Sequence, residues 1–347
     1  MQTKIVSLDR LDIDEEILNQ AVSIIRSGGL VAFPTETVYG LGANGLDEEA
    51  IKKIYIAKDR PEDNPLILHV SSKEEVAALV DEIPEVAKLC MDKFWPGPLT
   101  IIFKRSSLVP DIITGGLDSV AIRMPDNEIA LKLIEKAKTP IAAPSANTSG
   151  SPSPTKALHV NEDLNGKIDM IIDGGTTEVG LESTILDLSG DLPTILRPGG
   201  ITMEQLSELI PNVIMDVTDI SEFETPKSPG QKYRHYAPNA DLIVFEGEVG
   251  KISKAINKKT IEFIEDGRKV GIMATEETKE EYPDGYVIVV GSRDKRETIA
   301  SNLFTAIRFF DEAKVNIILA EGIEMDNIGT AIMNRLLKAA SGKTIKV

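Results

Sequence analysis

Hydrophobic and polar positions alternate in two ways over the first 205 residues. Five segments place apolar residues at spacings of three and four, which predicts helices. These segments are 15–27, 48–57, 73–80, 84–94 and 127–137. Between them lie short β-rich runs, at 29–33, 66–69, 99–103, 119–123, 141–143, 170–173, 183–187 and 194–197. Helices and strands interleave without a strict repeat, so the pattern predicts an α/β domain over 1–205 with a twisted mixed sheet flanked by helices.

A polar, proline-containing segment follows, and we predict an ordered linker over 206–240. Its end, SPGQKYRHYAP at 228–238, carries cations and aromatic rings where flexible linkers favour glycine and serine. After it, predicted strands alternate regularly with predicted helices. The strands are 241–246, 270–274, 286–290 and 315–320, and the helices are 252–266, 298–313 and 330–340. Regular alternation predicts a smaller parallel, Rossmann-like α/β domain over 241–347.

Composition excludes several classes of function. The 347 residues are 42% hydrophobic and 27% charged, typical of a globular protein of two domains. No apolar run reaches membrane length and the first residues lack a signal-peptide core, so we expect a cytoplasmic protein without a membrane partner. The net charge of −17 opposes stable binding of nucleic acid. One cysteine, Cys90, and three histidines without paired spacing predict no protein-bound transition metal.

Two short motifs carry the candidate chemistry. Lys58 and Arg60 form a K-x-R pair, and Ser145 and Asn147 form an S-x-N pair further along the chain. A polyphosphate needs this combination, cations for its charge and neutral donors for its remaining oxygens. Ser145 lacks the G-x-S-x-G turn of a hydrolase nucleophile, so we interpret it as a hydrogen-bond donor.

The surrounding residues resemble a known family. The runs FPTETVYGL at 33–41, KDRPEDNPL at 58–66 and IAAPSAN at 141–147 resemble the YrdC-type threonylcarbamoyl-AMP synthases. The resemblance extends through the 228–238 segment, where Gln231 replaces the family's usual methionine, to the C-terminal Sua-type domain of two-domain members.

The resemblance implies a function and a set of site residues. The implied reaction joins L-threonine, bicarbonate and ATP into threonylcarbamoyl-AMP and pyrophosphate, for the t6A modification at position 37 of tRNA. The implied catalytic residues are Lys58, Arg60, Ser145 and Asn147. The implied ATP contacts are Arg60, Asn64, Ser119, Ser145, Ser153, Arg197, His235 and Tyr236. The implied L-threonine contacts are Thr37, His69, Arg123, Ala143 and Ser183.

The same resemblance implies partners and a gating element. Mg²⁺ would arrive with ATP, and a downstream tRNA threonylcarbamoyl transferase would take the product. Because a carbamate decays in water, we hypothesise that the linker with Tyr233, His235 and Tyr236 closes over the reactants.

Two alternative functions remain open from the sequence. One is a module that binds tRNA or double-stranded RNA without catalysis, which the net charge opposes. The other is the carbamoyl-AMP chemistry of hydrogenase maturation, whose zinc sites cannot be built with one cysteine.

Overall fold

The computed structural model describes residues 2–218, 221, 224–233 and 235–347, so part of the predicted 206–240 linker lies outside the described residues. The chain forms two compact units. The first comprises residues 1–149 and 153–233, and the second comprises 150–152 and 234–347. The described residues between 206 and 233 thus belong to the first unit.

The first unit is built on one mixed sheet. Its strands are β1 (Lys4–Ser7), β2 (Val31–Phe33), β3 (Gly40–Asn44), β4 (Ile67–His69), β5 (Leu99–Lys104), β6 (Ser119–Arg123), β7 (Ile141–Ala142), β8 (Met170–Asp173), β9 (Thr184–Asp187), β10 (Thr194–Arg197) and β11 (Ile214–Met215). Across the sheet they run in the order β1-β8-β2-β3-β7-β4-β6-β5-β9-β10-β11. The sheet contains both parallel pairs, such as β4 with β6, and antiparallel pairs, such as β5 with β6. The predicted mixed sheet is confirmed.

Helices cover both faces of this sheet. They are α1 (Glu15–Arg26), α2 (Glu48–Lys58), α3 (Val76–Leu79), α4 (Glu85–Phe94), α5 (Asp111–Thr114), α6 (Glu128–Ala137), α7 (Ala157–Leu164) and α8 (Met203–Ser207). Strand β2 makes the two-sided packing plain, since successive side chains of a strand point to opposite faces. Val31 and Phe33 join the core under α1 and α6, whereas Ala32 joins the core under α2 and α4.

Helix α1 follows directly from its sequence. Asp14 caps its first turn by accepting hydrogen bonds from the backbone of Glu16 and Ile17 at 2.8 and 3.1 Å. Leu18, Ala21, Val22 and Ile25 then recur at helical spacing and are buried. Burying a leucine or isoleucine side chain of this kind stabilises a fold by roughly 1.5–3 kcal/mol.

The end of α2 positions the candidate cations. The helix ends at Lys58, and Asp59 takes the left-handed conformation with φ of 52°. The backbone N–H of Arg60 then returns to the carbonyl of Tyr55 at 2.9 Å, which closes the helix end. Lys58 is therefore the last residue of α2, and Arg60 lies in the loop that follows. Their two side chains start from neighbouring points of the backbone.

The second unit is a parallel α/β fold, as predicted. Its strands are β12 (Asp241–Glu246), β13 (Val270–Thr275), β14 (Tyr286–Gly291), β15 (Ile317–Glu321) and β16 (Thr344–Lys346), in the order β14-β13-β15-β12-β16. All its strand pairs are parallel. Its α-helices are α9 (Val249–Glu265), α10 (Arg296–Glu312) and α11 (Ile328–Ala339), with a short 3₁₀ turn at Lys279–Glu281. Among the described residues, no helix is both long and apolar enough to cross a membrane.

Candidate active site

Lys58 is the most buried cation of the first unit and contacts the S-x-N loop. Its side chain is 1% exposed. Its Nζ donates to the backbone carbonyls of Ser145 and Asn147, the second at 2.5 Å. Burial, reinforced by nearby Arg60, holds the pKa of Lys58 well below its usual value. The K-x-R and S-x-N motifs are therefore in contact. Lys58 bonds to the backbone carbonyls of Ser145 and Asn147, whereas the side-chain hydroxyl and amide of those two residues were predicted to bind phosphate.

Arg60 is held in the loop that follows Lys58. Its Nε donates to the carbonyl of Asn64 at 3.2 Å, and its Nη2 donates to the carbonyl of Pro65 at 2.9 Å. Burial, with the positive charge of Arg197 adding to it, lowers the pKa of Arg60 to about 10. Arg60 and Arg197 are thus close enough to repel each other.

Neither Lys58 nor Arg60 forms an ion pair with a carboxylate among the described residues, and both donate instead to neutral carbonyls. Buried cations without a counter-charge are costly, and a bound anion would supply the missing charge. Nearby, the buried Oδ1 of Asn64 has no hydrogen-bond partner in the described part of the chain. The two cations have the chemistry of a candidate anion site, and the amide oxygen of Asn64 beside them can accept a hydrogen bond from a ligand.

Three of the residues predicted for L-threonine, His69, Arg123 and Ser183, lie at the ends of neighbouring interior strands of the sheet. His69 of β4 and Thr100 of β5 are both register partners of Arg123 on β6, so the three lie in a row across neighbouring strands. Ser183, immediately before β9, joins its hydroxyl to that of Thr100 at 2.7 Å. Thr100 was not singled out from the sequence, because it lies in a largely apolar strand, LTIIFK, without a recognisable motif.

Arg197 connects the two groups of residues. Its Nε donates to the carbonyl of Ser183 at 3.0 Å and its Nη2 to the hydroxyl of Ser183 at 3.2 Å. Ser183 therefore contacts a predicted ATP residue on one side and Thr100, the neighbour of Arg123, on the other. The cation cluster and the polar row form one continuous site within the first unit.

Thr37 and Ala143 are held by backbone contacts. The hydroxyl of Thr37 contacts that of Thr35 at 2.8 Å, and its carbonyl accepts the N–H of Gly180 at 3.1 Å. Ala143, directly after β7, donates its N–H to the carbonyl of Ile67 at 3.0 Å. Both are buried next to strands that belong to the same part of the sheet.

Other predicted ATP residues lie further away or in the second unit. Ser119 begins β6, four residues from Arg123, which corresponds to roughly 13 Å along a strand. It lines a separate hollow of about 760 Å³ with Lys104, Arg105 and Lys227. Ser153 donates its hydroxyl to buried Glu182. The roles of these residues stay predictions.

His235 and Tyr236 belong to the second unit. Tyr236 is 5% exposed, and its ring stacks on Phe304 with centroids 5.2 Å apart. The guanidinium of Arg335 lies 5.7 Å from the same ring. Their predicted contact with ATP stays a prediction.

The linker residues before position 234 are tied to the first unit. Lys232 pairs with Asp63 at 2.8 Å, and the hydroxyl of Tyr233 donates to the same carboxylate. Lys227 pairs with Asp187 at 3.0 Å. Asp63 directly precedes Asn64, so the linker rests on the loop that holds Arg60.

His69 gives the site a measurable pH signature. Burial, with the charge of Arg123 adding to it, lowers the pKa of His69 to about 3, so the ring is neutral in the folded protein. The unfolded chain takes up this proton near its ordinary pKa of about 6.5, so stability is full above that pH and is lost as the pH falls toward 3. Between about pH 8 and pH 5 we expect His69 to account for about 2 kcal/mol of lost unfolding free energy.

The measurement compares wild type with His69→Asn in urea, followed by the fluorescence of Trp95, the single tryptophan and a buried residue of the first unit. His69→Asn should lower stability at pH 8 and flatten the pH dependence by that amount. An unchanged pH dependence would show that His69 is not held neutral.

The fold and the cations define a class: a two-unit α/β protein in which Lys58, Arg60 and Arg197 lie beside a row of polar side chains. Residues 23–199 match the sequence model of the family Sua5_yciO_yrdC, described as "Telomere recombination". Residues 201–341 match Sua5_C, described as "Threonylcarbamoyl-AMP synthase, C-terminal domain".

Relatives that match nearly the whole chain indicate the same family. A threonylcarbamoyl-AMP synthase of Pyrococcus abyssi is 51% identical, over 96% of this chain and 97% of that protein. Its Bacillus subtilis counterpart is 48% identical over 97% of each chain. A crystal structure of P. abyssi Sua5 complexed with L-threonine, 50% identical, covers 99% of this chain and 100% of its own with a TM-score of 0.95. This chain belongs to the threonylcarbamoyl-AMP synthase family. The predicted family, fold class and enzyme class are confirmed.

Proposed function

We propose that this protein condenses L-threonine, bicarbonate and ATP into threonylcarbamoyl-AMP, releasing pyrophosphate. Membership of the family supports the overall reaction, and relatives that carry the synthase name match nearly the whole chain. One observation supports the position of the chemistry. Buried Lys58 and half-buried Arg60 donate only to carbonyls among the described residues. Arg60 lies near Arg197, which bonds to Ser183 beside the row that contains Arg123.

The chemistry follows from these placements. The deprotonated threonine amine attacks the carbon of bicarbonate, and water leaves as the carbamate forms. A carbamate oxygen then attacks the α-phosphorus of ATP, and the bond from that phosphorus to the pyrophosphate group breaks, so that pyrophosphate leaves. Lys58 and Arg60 stabilise the negative charge that develops on the phosphate oxygens. Holding both reactants in one buried site brings the attacking oxygen into line without any covalent enzyme intermediate.

Arg123 and its neighbours supply the amino-acid side of the site. A guanidinium suits a carboxylate, and the hydroxyls of Thr37 and Ser183 suit a hydroxylated side chain. P. abyssi Sua5, which this chain resembles, has been crystallised with L-threonine. We therefore assign threonine as the amino-acid substrate.

Mg²⁺ is assigned to the nucleotide. Within the described ranges, no three His, Cys, Asp or Glu side chains lie close enough together to hold a metal ion. The ion would enter as MgATP, bridging phosphate oxygens. We further propose that the product passes to a tRNA threonylcarbamoyl transferase, because a mixed anhydride of a carbamate and AMP needs an acceptor.

The test is pyrophosphate release from MgATP with bicarbonate and each amino acid in turn. We expect release that requires both bicarbonate and threonine, because the carbamate must form before phosphate is attacked. Serine serves as the control for the side-chain methyl, which a hydrophobic contact discriminates by roughly 10- to 200-fold. Release without threonine would still support the phosphate site but would show that threonine is not the substrate. Nucleotide binding with no release under any condition would favour the RNA-binding module.

A further inference from the structure

Glu36 faces Arg123 inside the site, and no family motif marked it as a ligand. Its Oε2 lies 2.5 Å from Nη2 of Arg123, and each side chain is 5% exposed. Two backbone bonds fix the loop, since the N–H groups of Glu178 and Val179 donate to the carbonyl of Glu36 at 3.1 and 2.8 Å. The position of the carboxylate is therefore set by the fold.

The hydrogen bonds of this ion pair are incomplete. Both carboxylate oxygens of Glu36 and the Nη2 of Arg123 lack an aligned partner in the part of the chain that the structure describes. A structural ion pair in a protein interior is stable when the remaining lone pairs and protons are satisfied. A buried carboxylate that accepts no hydrogen bond has the chemistry of a group that awaits donors.

The local electrostatics favour a cationic donor. Glu36 also lines a hollow of about 760 Å³ together with Asp126 and Glu178. In that hollow, Arg10 is already paired with Glu178 and Lys132 with Glu128. Burial, with repulsion from Glu36 and Glu178, raises the pKa of Asp126. The hollow thus carries four carboxylates, those of Glu36, Asp126, Glu128 and Glu178, against the two cations Arg10 and Lys132.

We propose that Glu36 binds the α-ammonium group of the amino-acid substrate while Arg123 binds its carboxylate. This inference rests on the proposed function. Arg123 has an N–H group available for the substrate carboxylate. Its Nε donates to the carbonyl of Gly97 at 3.2 Å, whereas its Nη1 donates to no described residue. An ammonium supplies three N–H donors to a carboxylate that accepts none.

The arrangement makes Glu36 a specificity residue. A zwitterion satisfies both members of the pair, whereas a hydroxy acid leaves Glu36 buried and unsatisfied. Sites of this kind reject an analogue that lacks the expected polar group, because their own polar atoms then remain without a partner. The substrate nitrogen, which must lose a proton before it attacks bicarbonate, is also held at one defined place.

Three ligands separate the functional groups of threonine. L-threonine has the amine and the carboxylate, L-threoninol has only the amine, and 3-hydroxybutanoate has only the carboxylate. Their dissociation constants are measured by calorimetry on the full chain for wild type and Glu36→Gln. We expect Glu36→Gln to weaken threonine and threoninol by roughly 10- to 100-fold, as for loss of a charged hydrogen bond, and to leave 3-hydroxybutanoate within about twofold.

Equal weakening of threonine and 3-hydroxybutanoate would overturn the proposal, because Glu36 would then act only by holding Arg123. Unchanged binding of threonine would overturn it as well. Glu36→Asp keeps the charge and should recover part of the threonine affinity, while unchanged ATP binding verifies that each variant is folded. Glu128→Gln removes an exposed carboxylate from the same hollow and should leave all three constants unchanged. If wild type itself does not bind threonine, the proposed function fails before the role of Glu36 is reached.

Discussion

Arg60→Ala should lower the rate of pyrophosphate release by on the order of 10²-fold or more, while the protein stays folded. The guanidinium is half-buried, donates only to two backbone carbonyls among the described residues, and lies close to Lys58 and Arg197. A charge in such surroundings stabilises a developing phosphate anion far more than it would in water. Losing about 3 kcal/mol of transition-state stabilisation corresponds to the expected fall.

Two variants make this measurement specific. Arg60→Lys keeps the charge but loses the planar fork, so it should recover only part of the rate. Arg26→Ala is the matched control, because Arg26 also donates to two carbonyls, those of Ala137 and Lys136, but lies on the exposed end of α1. It should release pyrophosphate at the wild-type rate. A wild-type rate in Arg60→Ala would place the phosphate site elsewhere.

The sequence predicts the parts of the site that lie next to regular elements. Lys58 and Arg60 follow a periodic helix, and Arg123 ends an apolar run, so their local positions could be predicted. That Lys58 reaches the S-x-N loop could be inferred only from the resemblance, since 87 residues separate it from Ser145. The contacts of Glu36 with Arg123 and of Thr100 with Ser183 depend on sheet order, which no local pattern encodes.

Strand β3 shows why some elements escape prediction. Its sequence, GLGAN, has two glycines and no β-branched residue, so its propensity favours a loop. The glycine is required by packing: a Cβ at Gly42 would lie 2.7 Å from a ring carbon of Phe33 and 2.9 Å from the side chain of Ile141. Tertiary pairing with β2 and β7 overrides the local preference.

Helix α3 is shorter than the sequence predicts. Apolar spacing predicts a helix over 73–80, but the helix spans only Val76–Leu79. Glu75 stands at its N-cap without a side-chain cap, and its carboxylate instead accepts from the hydroxyl and backbone N–H of Ser71. Without a cap, the preceding turn gains little from becoming helical.

Gly199→Ala should weaken binding at both the predicted ATP residues and the predicted threonine residues of the site. A Cβ at this position would lie 2.3 Å from the backbone N of Thr184 and 2.5 Å from the carbonyl oxygen of Glu182 and the carbonyl carbon of Ser183. No rotamer change relieves a contact between backbone atoms, so the segment from Ser183 must move away from Arg197. Overpacking of this kind costs about 1–3 kcal/mol or more. We expect lower stability by Trp95 fluorescence and at least a tenfold loss of pyrophosphate release, with weaker binding of both ATP and threonine.

Gly190→Ala is the matched control, because Gly190 lies in the β9–β10 connection of the same hairpin and a Cβ there meets no atom within 4 Å. Stability and rate should both remain at wild-type values. The double loss of affinity distinguishes Gly199→Ala from simple destabilisation: Ser183 joins Arg197 to Thr100, so displacing one backbone segment removes contacts on both sides. A Gly199→Ala protein that binds ATP normally and loses only threonine would show that Arg197 keeps its place without Ser183, and that the two groups of residues are independent.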